Sequence, residues 1–342
     1  MAAQATAIAN IYEPGIWSQY FLEATTEKSL LIKSGIAGTD PQLIDAANKG
    51  GRTVDMPFWD DLAHDTGATT RSKVATDDDT DITPAGITSD KDQAVKDFRT
   101  QSFQVSPIVK YVAGDDPARI VVDNFATWWA KEEQRLLLLK LTGAFLNSTV
   151  YGNLQNDISV AQATTNAANL ISSDAIIDTQ FKLGDAYNKL TGIIMHSVPF
   201  KRLCKLDLID NVRESQQDPT VMPEYQGKRV LVDDGMTVYD GTTYKKYYTY
   251  LFGQNAVGRV DVPLESGDPN VELYRNPKAG TGAGMLDIIS RRYFLLHLRG
   301  IKYYDSNMTG VSPSDAELID PTNYTQVYLT KNIRIARLVT NG

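Results

Sequence analysis

Residues 115–147 read DDPARIVVDNFATWWAKEEQRLLLLKLTGAFLN, and no other stretch makes so long an uninterrupted claim on one conformation. Asp116 suits the N-cap, where a carboxylate accepts from the free N–H groups of the first turn. Pro117 suits the first helical position, which needs no N–H, and Asp115 and Asp116 lie at the positive end of the dipole. From Pro117 to Leu146 there is no second proline and a single glycine, Gly143. The stretch therefore predicts one helix about 45 Å long at ~1.5 Å per residue. Val121, Phe125, Trp128, Trp129, Leu136, Leu139 and Leu146 keep helical spacing. A polar girdle from Lys131 to Arg135 interrupts them, and Leu136–Leu139 is apolar all round. Taken alone this is the core helix of a two-layer α+β domain. One partner surface does not cover both faces, so the rod is also expected to need a second chain.

At 342 residues the chain can bury a sizeable core as one large or two medium domains. Its formal charge of −8 argues against wrapping nucleic acid through phosphate contacts, which takes a basic face. One cysteine, Cys204, excludes an internal disulfide and a cysteine-based zinc site. The N-terminus has no positive residue before Lys28 and no long apolar run, unlike a secretion signal or transit peptide. No stretch approaches the ~20 apolar residues of a membrane helix.

Residues 1–50 alternate small residues with isolated large apolar ones, including Ile11, Trp17 and Tyr20, which reads as an anchored arm. Trp17–Ser34 within it has helical character. After Gly50-Gly51, Thr53–Phe58 alternates as a half-buried strand, and Pro57 places it at a sheet edge. Residues 60–92 then hold nine Asp and three basic residues, Arg71, Lys73 and Lys91, with hardly a large apolar side chain. A second extended stretch, Ala94–Val105, follows. Two strands joined by a long hydrophilic span predict a projecting ribbon, which is marginal in isolation and lies on another surface. Beyond the long helix, Ser172-Ser173-Asp174 opens a helix expected to end at Gly192. Strand Ile193–Met195, a helix from Pro199, strand Lys228–Val232 and the turns at Asp233-Asp234-Gly235 and Asp240-Gly241 complete a compact unit, about 170–262. Strand-like Val271–Arg275, Arg292–Leu298 and Ile333–Val339 close the chain.

Catalytic chemistry has little support. His64, His196 and His297 are more than 100 residues apart and none has an HExxH or Cys/His context. Gly253–Val260 approaches a phosphate loop but carries Arg259 and Val260 where lysine and a hydroxyl belong. Met285 stands at the last glycine of a would-be GxGxxG over Gly280, Gly282 and Gly284. The acidic run Asp77, Asp78, Asp79 and Asp81 fails as a calcium loop, because Ile82 holds the glycine position and Thr88 that of the bidentate glutamate. No cofactor and no metal is expected. The run reads as a solvated loop, or as one that meets a basic patch on another molecule, such as Lys201, Arg202 and Lys205, or Arg291 and Arg292.

The order of parts, and the segments Gly192–Val198 with Leu203, Tyr225–Asp234, Tyr250–Ala256, Gly300–Tyr303, Ser312-Pro313 with Glu317-Leu318, and Lys331-Asn332, resemble the major capsid proteins of tailed bacteriophages, with their Hong Kong 97-like fold. The resemblance implies an α+β capsid fold. Residues 1–50 would be an N-terminal arm reaching a neighbour and 51–110 an extended β-hairpin loop. Residues 111–164 and 263–342 would form the peripheral domain around spine helix 115–147, and 165–262 the axial domain.

It further implies hexamers and pentamers of this chain in an icosahedral shell around double-stranded DNA that is touched only non-specifically. Assembly would take place in the host cytoplasm, the product being the virion. A separate scaffolding protein, a portal and decoration proteins are the expected partners. Candidate inter-subunit contacts are Ile11, Trp17, Tyr20, Arg71, Lys73, Asp77, Asp78, Asp79, Asp81, Glu132, Arg135, Lys201, Arg202 and Lys205. Lys73 and Lys91 lie where some relatives cross-link, but no motif matches and covalent linkage is not expected. A bacterial protein-compartment shell, and an enzyme or sugar-binding module on an unrelated α+β fold, are the alternative readings.

Overall fold

The structure, a computed structural model, describes residues 36–39, 41–60, 81, 86–108, 117–161, 166–213, 221–241, 244–262 and 270–342. Its helices are α1 Pro41–Ala47, α2 Pro117–Leu146, α3 Ser148–Leu154, α4 Ser173–Gln180, α5 Ser197–Lys205 and α6 Asp315–Ile319. Its strands are β1 Ala37–Gly38, β2 Thr53–Trp59, β3 Ser89–Val105, β4 Gln155–Asp157, β5 Leu190–Met195, β6 Asp210–Arg213, β7 Val221–Tyr225 and β8 Lys228–Val232. They continue with β9 Val238–Asp240, β10 Lys245–Gly253, β11 Val257–Asp261, β12 Val271–Asn276, β13 Met285–Leu298, β14 Ile301–Tyr303, β15 Tyr324–Gln326 and β16 Ile335–Thr340.

Two sheets carry the architecture. One runs β1-β11-β13-β3-β2 with β12 also on β13, and the other β4-β16-β10-β5-β8-β7-β6 with β9 on β10. The long strand β3 divides its pairing: Ser89–Val95 faces Thr53–Trp59, and Lys96–Val105 faces Leu286–Leu295, both antiparallel. Strand β2 is an edge, where Pro57 lacks only an N–H that no ladder claims. Asp92–Asp97, in the middle of β3, is buried on both faces, whereas Ser89–Lys91 is exposed. The ribbon thus has a buried root and an exposed outer end. Its charged span at 61–80 lies outside the described residues.

Helix α2 lies across both sheets. Near its start Phe125 and Trp128 meet Phe103 of β3 edge to face, and Trp129 Nε1 donates to Ser290 Oγ of β13 at 3.0 Å. Near its end Phe145 packs on Tyr250 of β10, 5.7 Å between centroids. Leu136, Leu137, Leu138 and Leu141 are all buried within this one chain. The expectation that a second chain must cover the rod is therefore corrected for these residues. Side chains all round the helix find three separate surfaces of their own chain: the β3/β13 sheet, the β5/β8/β10 sheet, and α6. Asp116, its expected cap, lies outside the described residues.

Gly143 is what lets α6 approach. A Cβ there would stand 2.2 Å from the Leu318 carbonyl oxygen and 2.7 Å from Cε2 of Tyr324. Overpacking of this kind costs about 1–3 kcal/mol and exceeds the ~1 kcal/mol that alanine returns in helix propensity. Gly143→Ala is therefore expected to lower the urea midpoint. An unchanged or raised midpoint would show that α6 yields freely.

One boundary differs from the sequence reading. Gly192 is not a helix stop but lies inside β5, paired with Arg229 and Phe252, because the helix has already given way to 3-10 turns at Phe181–Lys189. Val257–Val260, at the end of the stretch already rejected as a phosphate loop, lies in strand β11. Both sheets contain strands from before and after residue 262. Strand β11, before it, belongs with β13, while β16, after it, lies between β10 and β4. Strand pairing joins residues distant in sequence, and composition carries no record of it.

Candidate assembly surface

A frame of ionic side chains, buried except for Asp261, fixes the ribbon root and the spine. Glu133 of α2 is 4 % exposed; it accepts from Arg259 Nε of β11 and lies 3.4 Å from Arg292 Nη1 of β13. Asp261 then bridges the two guanidinium groups at 3.0 Å each. Two turns further along α2, Lys140 Nζ donates to Asp97 Oδ2 at 2.5 Å and to the Leu296 carbonyl at 2.8 Å. Burial pushes the Asp97 carboxyl up and the Lys140 amine down, opposed in each by the partner's charge. His297 Nε2 lies 2.8 Å from Asp92 Oδ2, which also accepts from Gly300 N–H at 2.9 Å. Burial disfavours the Asp92 carboxylate, but His297 and Gly300 outweigh it and hold the group below the usual range. These groups tie strand to helix, and each side chain's partner is another part of the same core.

A second tie joins α2 to α6. Arg135 grips Glu132 through Nε and Nη2, at 2.8 and 2.6 Å, and reaches Asp315 Oδ2 through Nη1 at 2.7 Å. Glu132 and Arg135, candidate contacts to a neighbour, thus already have partners in their own chain. Arg202 Nε donates to the Ile171 carbonyl, while Lys201 and Lys205 stand exposed on α5. Asp81 is exposed. Ile11, Trp17, Tyr20, Arg71, Lys73, Asp77, Asp78 and Asp79 lie outside the described residues, as does the Trp17–Ser34 helix. Of the second proposed basic patch, Arg291 pairs with Glu272 at 2.6 Å and Arg292 is buried in the frame. Neither guanidinium is available to an acidic loop.

Helix α6 supplies a pH-sensitive joint. Its N-cap Ser314 forms a reciprocal capping box with Glu317, whose carboxylate accepts from the N–H groups of Ser314 and Thr309 and from Thr309 Oγ1. Those bonds, with Ser314 N–H the strongest, lower the Glu317 carboxyl from 4.5 to about 2. A depressed carboxyl contributes stability above its unfolded value and loses it as pH falls through its folded one. The joint should therefore loosen between pH 4.5 and about 2. Amide protection factors in 314–319 are expected to fall over that window in wild type, and to fall less in Glu317→Gln, where the Asp315 and Asp320 carboxylates still titrate. An NMR titration midpoint near 4.5 for Glu317 would refute this.

Exposed apolar groups include Ile319 on α6 and Val311 before it, and others lie away from that joint. Trp59, at the outer end of β2, is 70 % exposed, and Ile87 nearby is also exposed. Phe181 and Tyr187 stack on the 3-10 segment before β5 with centroids 4.7 Å apart. Both fall within the stretch expected to be one helix from Ser172 to Gly192. Their only signal was the glycine between them, which breaks the helical face. A cavity of about 260 Å³ lies between α2 and the second sheet, walled by Leu138, Leu141, Ile194, Val230, Met236 and Phe252. Its lining has one carboxylate, Asp233, and no histidine or cysteine, so no acid–base pair converges there. Among the described residues no three His, Cys, Asp or Glu side chains cluster as a metal site would require. His196 caps α5 by accepting from Val198 N–H, a structural role.

The profile of the Gp13-like family, described as major capsid protein 13-like, matches residues 43–333. The major capsid protein of Bacillus phage SPP1 is 36 % identical over 340 residues, covering 97 % of each chain. Among solved structures, the capsid of Ralstonia phage GP4 superposes with a TM-score of 0.59 at 8 % identity, covering 90 % of this chain and 88 % of that one. The cyanophage Pam1 capsid asymmetric unit gives 0.52 at 8 % identity, covering 87 % of each. The fold is Hong Kong 97-like. A profile spanning most of the length and a relative matched end to end agree: this chain belongs to the Gp13-like family of major capsid proteins.

Proposed function

We propose that this chain is the shell subunit of a tailed-phage head, assembling as hexamers and pentamers into an icosahedral particle that encloses double-stranded DNA. The end-to-end similarity to the SPP1 major capsid protein carries the reading. The ribbon supports it, because a two-stranded element with a bare tryptophan at its outer end gains stability by lying on another subunit. Residues 1–35 act as the arm on a neighbour, whereas 36–50, expected in that arm, pack on their own chain through β1 and α1; of 51–110 the exposed outer part acts as the extended loop, its root at 92–105 being held in the chain's own sheet. The peripheral and axial domains follow the two sheets, with β11 counted peripheral and β16 axial. The subunit has no catalytic task; its partners are a separate scaffolding protein, a portal and decoration proteins, and DNA is met without sequence readout. Assembly proceeds in the host cytoplasm and ends in the virion.

Electron microscopy of the chain expressed with its scaffolding and portal genes tests this. Closed icosahedral particles that fill with DNA when the packaging motor is supplied are the expected result. A chain that stays monomeric or dimeric with scaffold present would sink the proposal. Particles that enclose a host-encoded enzyme instead of DNA would sink the phage-head half of it.

A further inference from the structure

The segment Phe181–Lys189 turns sharply at Gly184, where φ is 62° and ψ −130°. Leu183 and Ala186 anchor it in the core, which leaves the Phe181 and Tyr187 rings outside, 55 % and 41 % exposed and stacked at 24°. Two rings fixed by a buried backbone make a rigid anchor that loses little entropy on binding. Lysines frame them. Lys182 and Lys189 are exposed. Lys331, from the turn packed on this segment, reaches Asp185 at 3.0 Å, and Lys189 Nζ lies 3.5 Å from the Lys331 carbonyl. Leu329, one residue before that turn, is exposed as well. Three lysines against Asp185 and exposed Asp178, four residues before Lys182, leave a local excess of positive charge in a chain whose net charge is −8.

A basic rim around apolar rings fits an acidic segment that carries an aliphatic side chain. Duplex DNA offers phosphates but nothing to cover two rings and a leucine. The chain itself contains the complementary sequence, Asp77-Asp78-Asp79-Thr80-Asp81-Ile82, of which Asp81 is exposed in this structure. The other basic groups suit it less. Arg291 and Arg292 are consumed by Glu272 and the buried frame, and the lysines of α5 are followed closely by exposed Asp207 and Asp210. We propose that the Phe181/Tyr187 patch with Lys182, Lys189 and Lys331 receives the acidic run 77–82 of a second copy of this chain. The contact rests on the shell reading given above.

Charge reversal on each side tests it. Lys182→Glu with Lys189→Glu, and separately Asp77→Lys with Asp79→Lys, are each expected to cut the yield of closed particles by about tenfold, and the four changes together to restore it to within about twofold. Thermal melting of the unassembled chain should stay unchanged in all three. Phe181→Ser with Tyr187→Ser should lower the yield in a way the charge swap does not repair. One-sided reversals that assemble like wild type would overturn the contact, as would a four-fold variant no better than the two-fold ones. The same holds if Lys201→Glu with Lys205→Glu restores assembly in place of the patch pair, or if the unassembled chain's melting shifts, which would place the contact within one chain. Normal particles that retain less DNA would assign the lysines to DNA and overturn it too. A wild-type chain that forms no particles at all overturns the shell reading itself, and the contact with it.

Discussion

Replacing Glu133 by alanine is expected to cost about 3–5 kcal/mol of folding stability, because it leaves two buried guanidinium groups without their shared carboxylate. Arg259 and Arg292 are 8 % and 5 % exposed, and Asp261 alone remains to neutralise them. The effect should appear as a lower urea midpoint with an unchanged slope, since the native surface is not altered. Glu133→Gln keeps the shape and one acceptor and is expected to fall between wild type and alanine. An alanine variant within about 1 kcal/mol of wild type would mean that water reaches the pair and that the frame is not buried in solution. The same variant should assemble less well even where it folds, because β11 and β13 are held against the spine through this carboxylate.

Arg337→Ala is the second large loss, about 2–4 kcal/mol. Arg337 is 3 % exposed, and its guanidinium lies 4.8 Å from the ring centroids of both Phe145 and Tyr248. Nε donates to Gln155 Oε1 at 2.5 Å and Nη2 to the Phe145 carbonyl at 2.8 Å. Truncation empties the space between two rings and orphans two buried acceptors, at ~1–3 kcal/mol for an unpaired group. Relief of the desolvated charge offsets part of this. Arg337→Met, which refills the space without a charge, should lose about half as much. Equal losses for Met and Ala in thermal unfolding would show that the hydrogen bonds, and not the ring packing, hold the spine's end to β16.

The two sites share a feature that governs what can be read without coordinates. Glu133 sits inside the polar girdle of α2 and Arg337 between apolar neighbours, yet neither sequence context names its partners, which lie 126 and 182 positions away. In the sequence reading, the girdle of α2 drew attention to Glu132 and Arg135, which face outward, and passed over Glu133, which faces in. Spacing along a helix tells which residues share a face. It does not tell which face meets a guanidinium supplied by another strand. Likewise the two aromatic rings before β5 lie in a stretch expected to be one regular helix; the 3-10 turns at Gly184 place them in solvent.

Much of the local structure follows directly from residue order. Proline at the first helical turn and its absence thereafter defined α2, alternation and Pro57 defined β2 as an edge, and the segments of 192–256 and 300–332 carried the resemblance to phage capsid proteins. Those are properties of near neighbours, and backbone sterics and burial periodicity express them in any context. Which strands share a sheet, where the buried charges find partners, and how one chain covers its own apolar rod were decided only by tertiary structure. Each depends on bringing distant residues within a few ångströms, and the energy of such a contact exists only once the fold has made it.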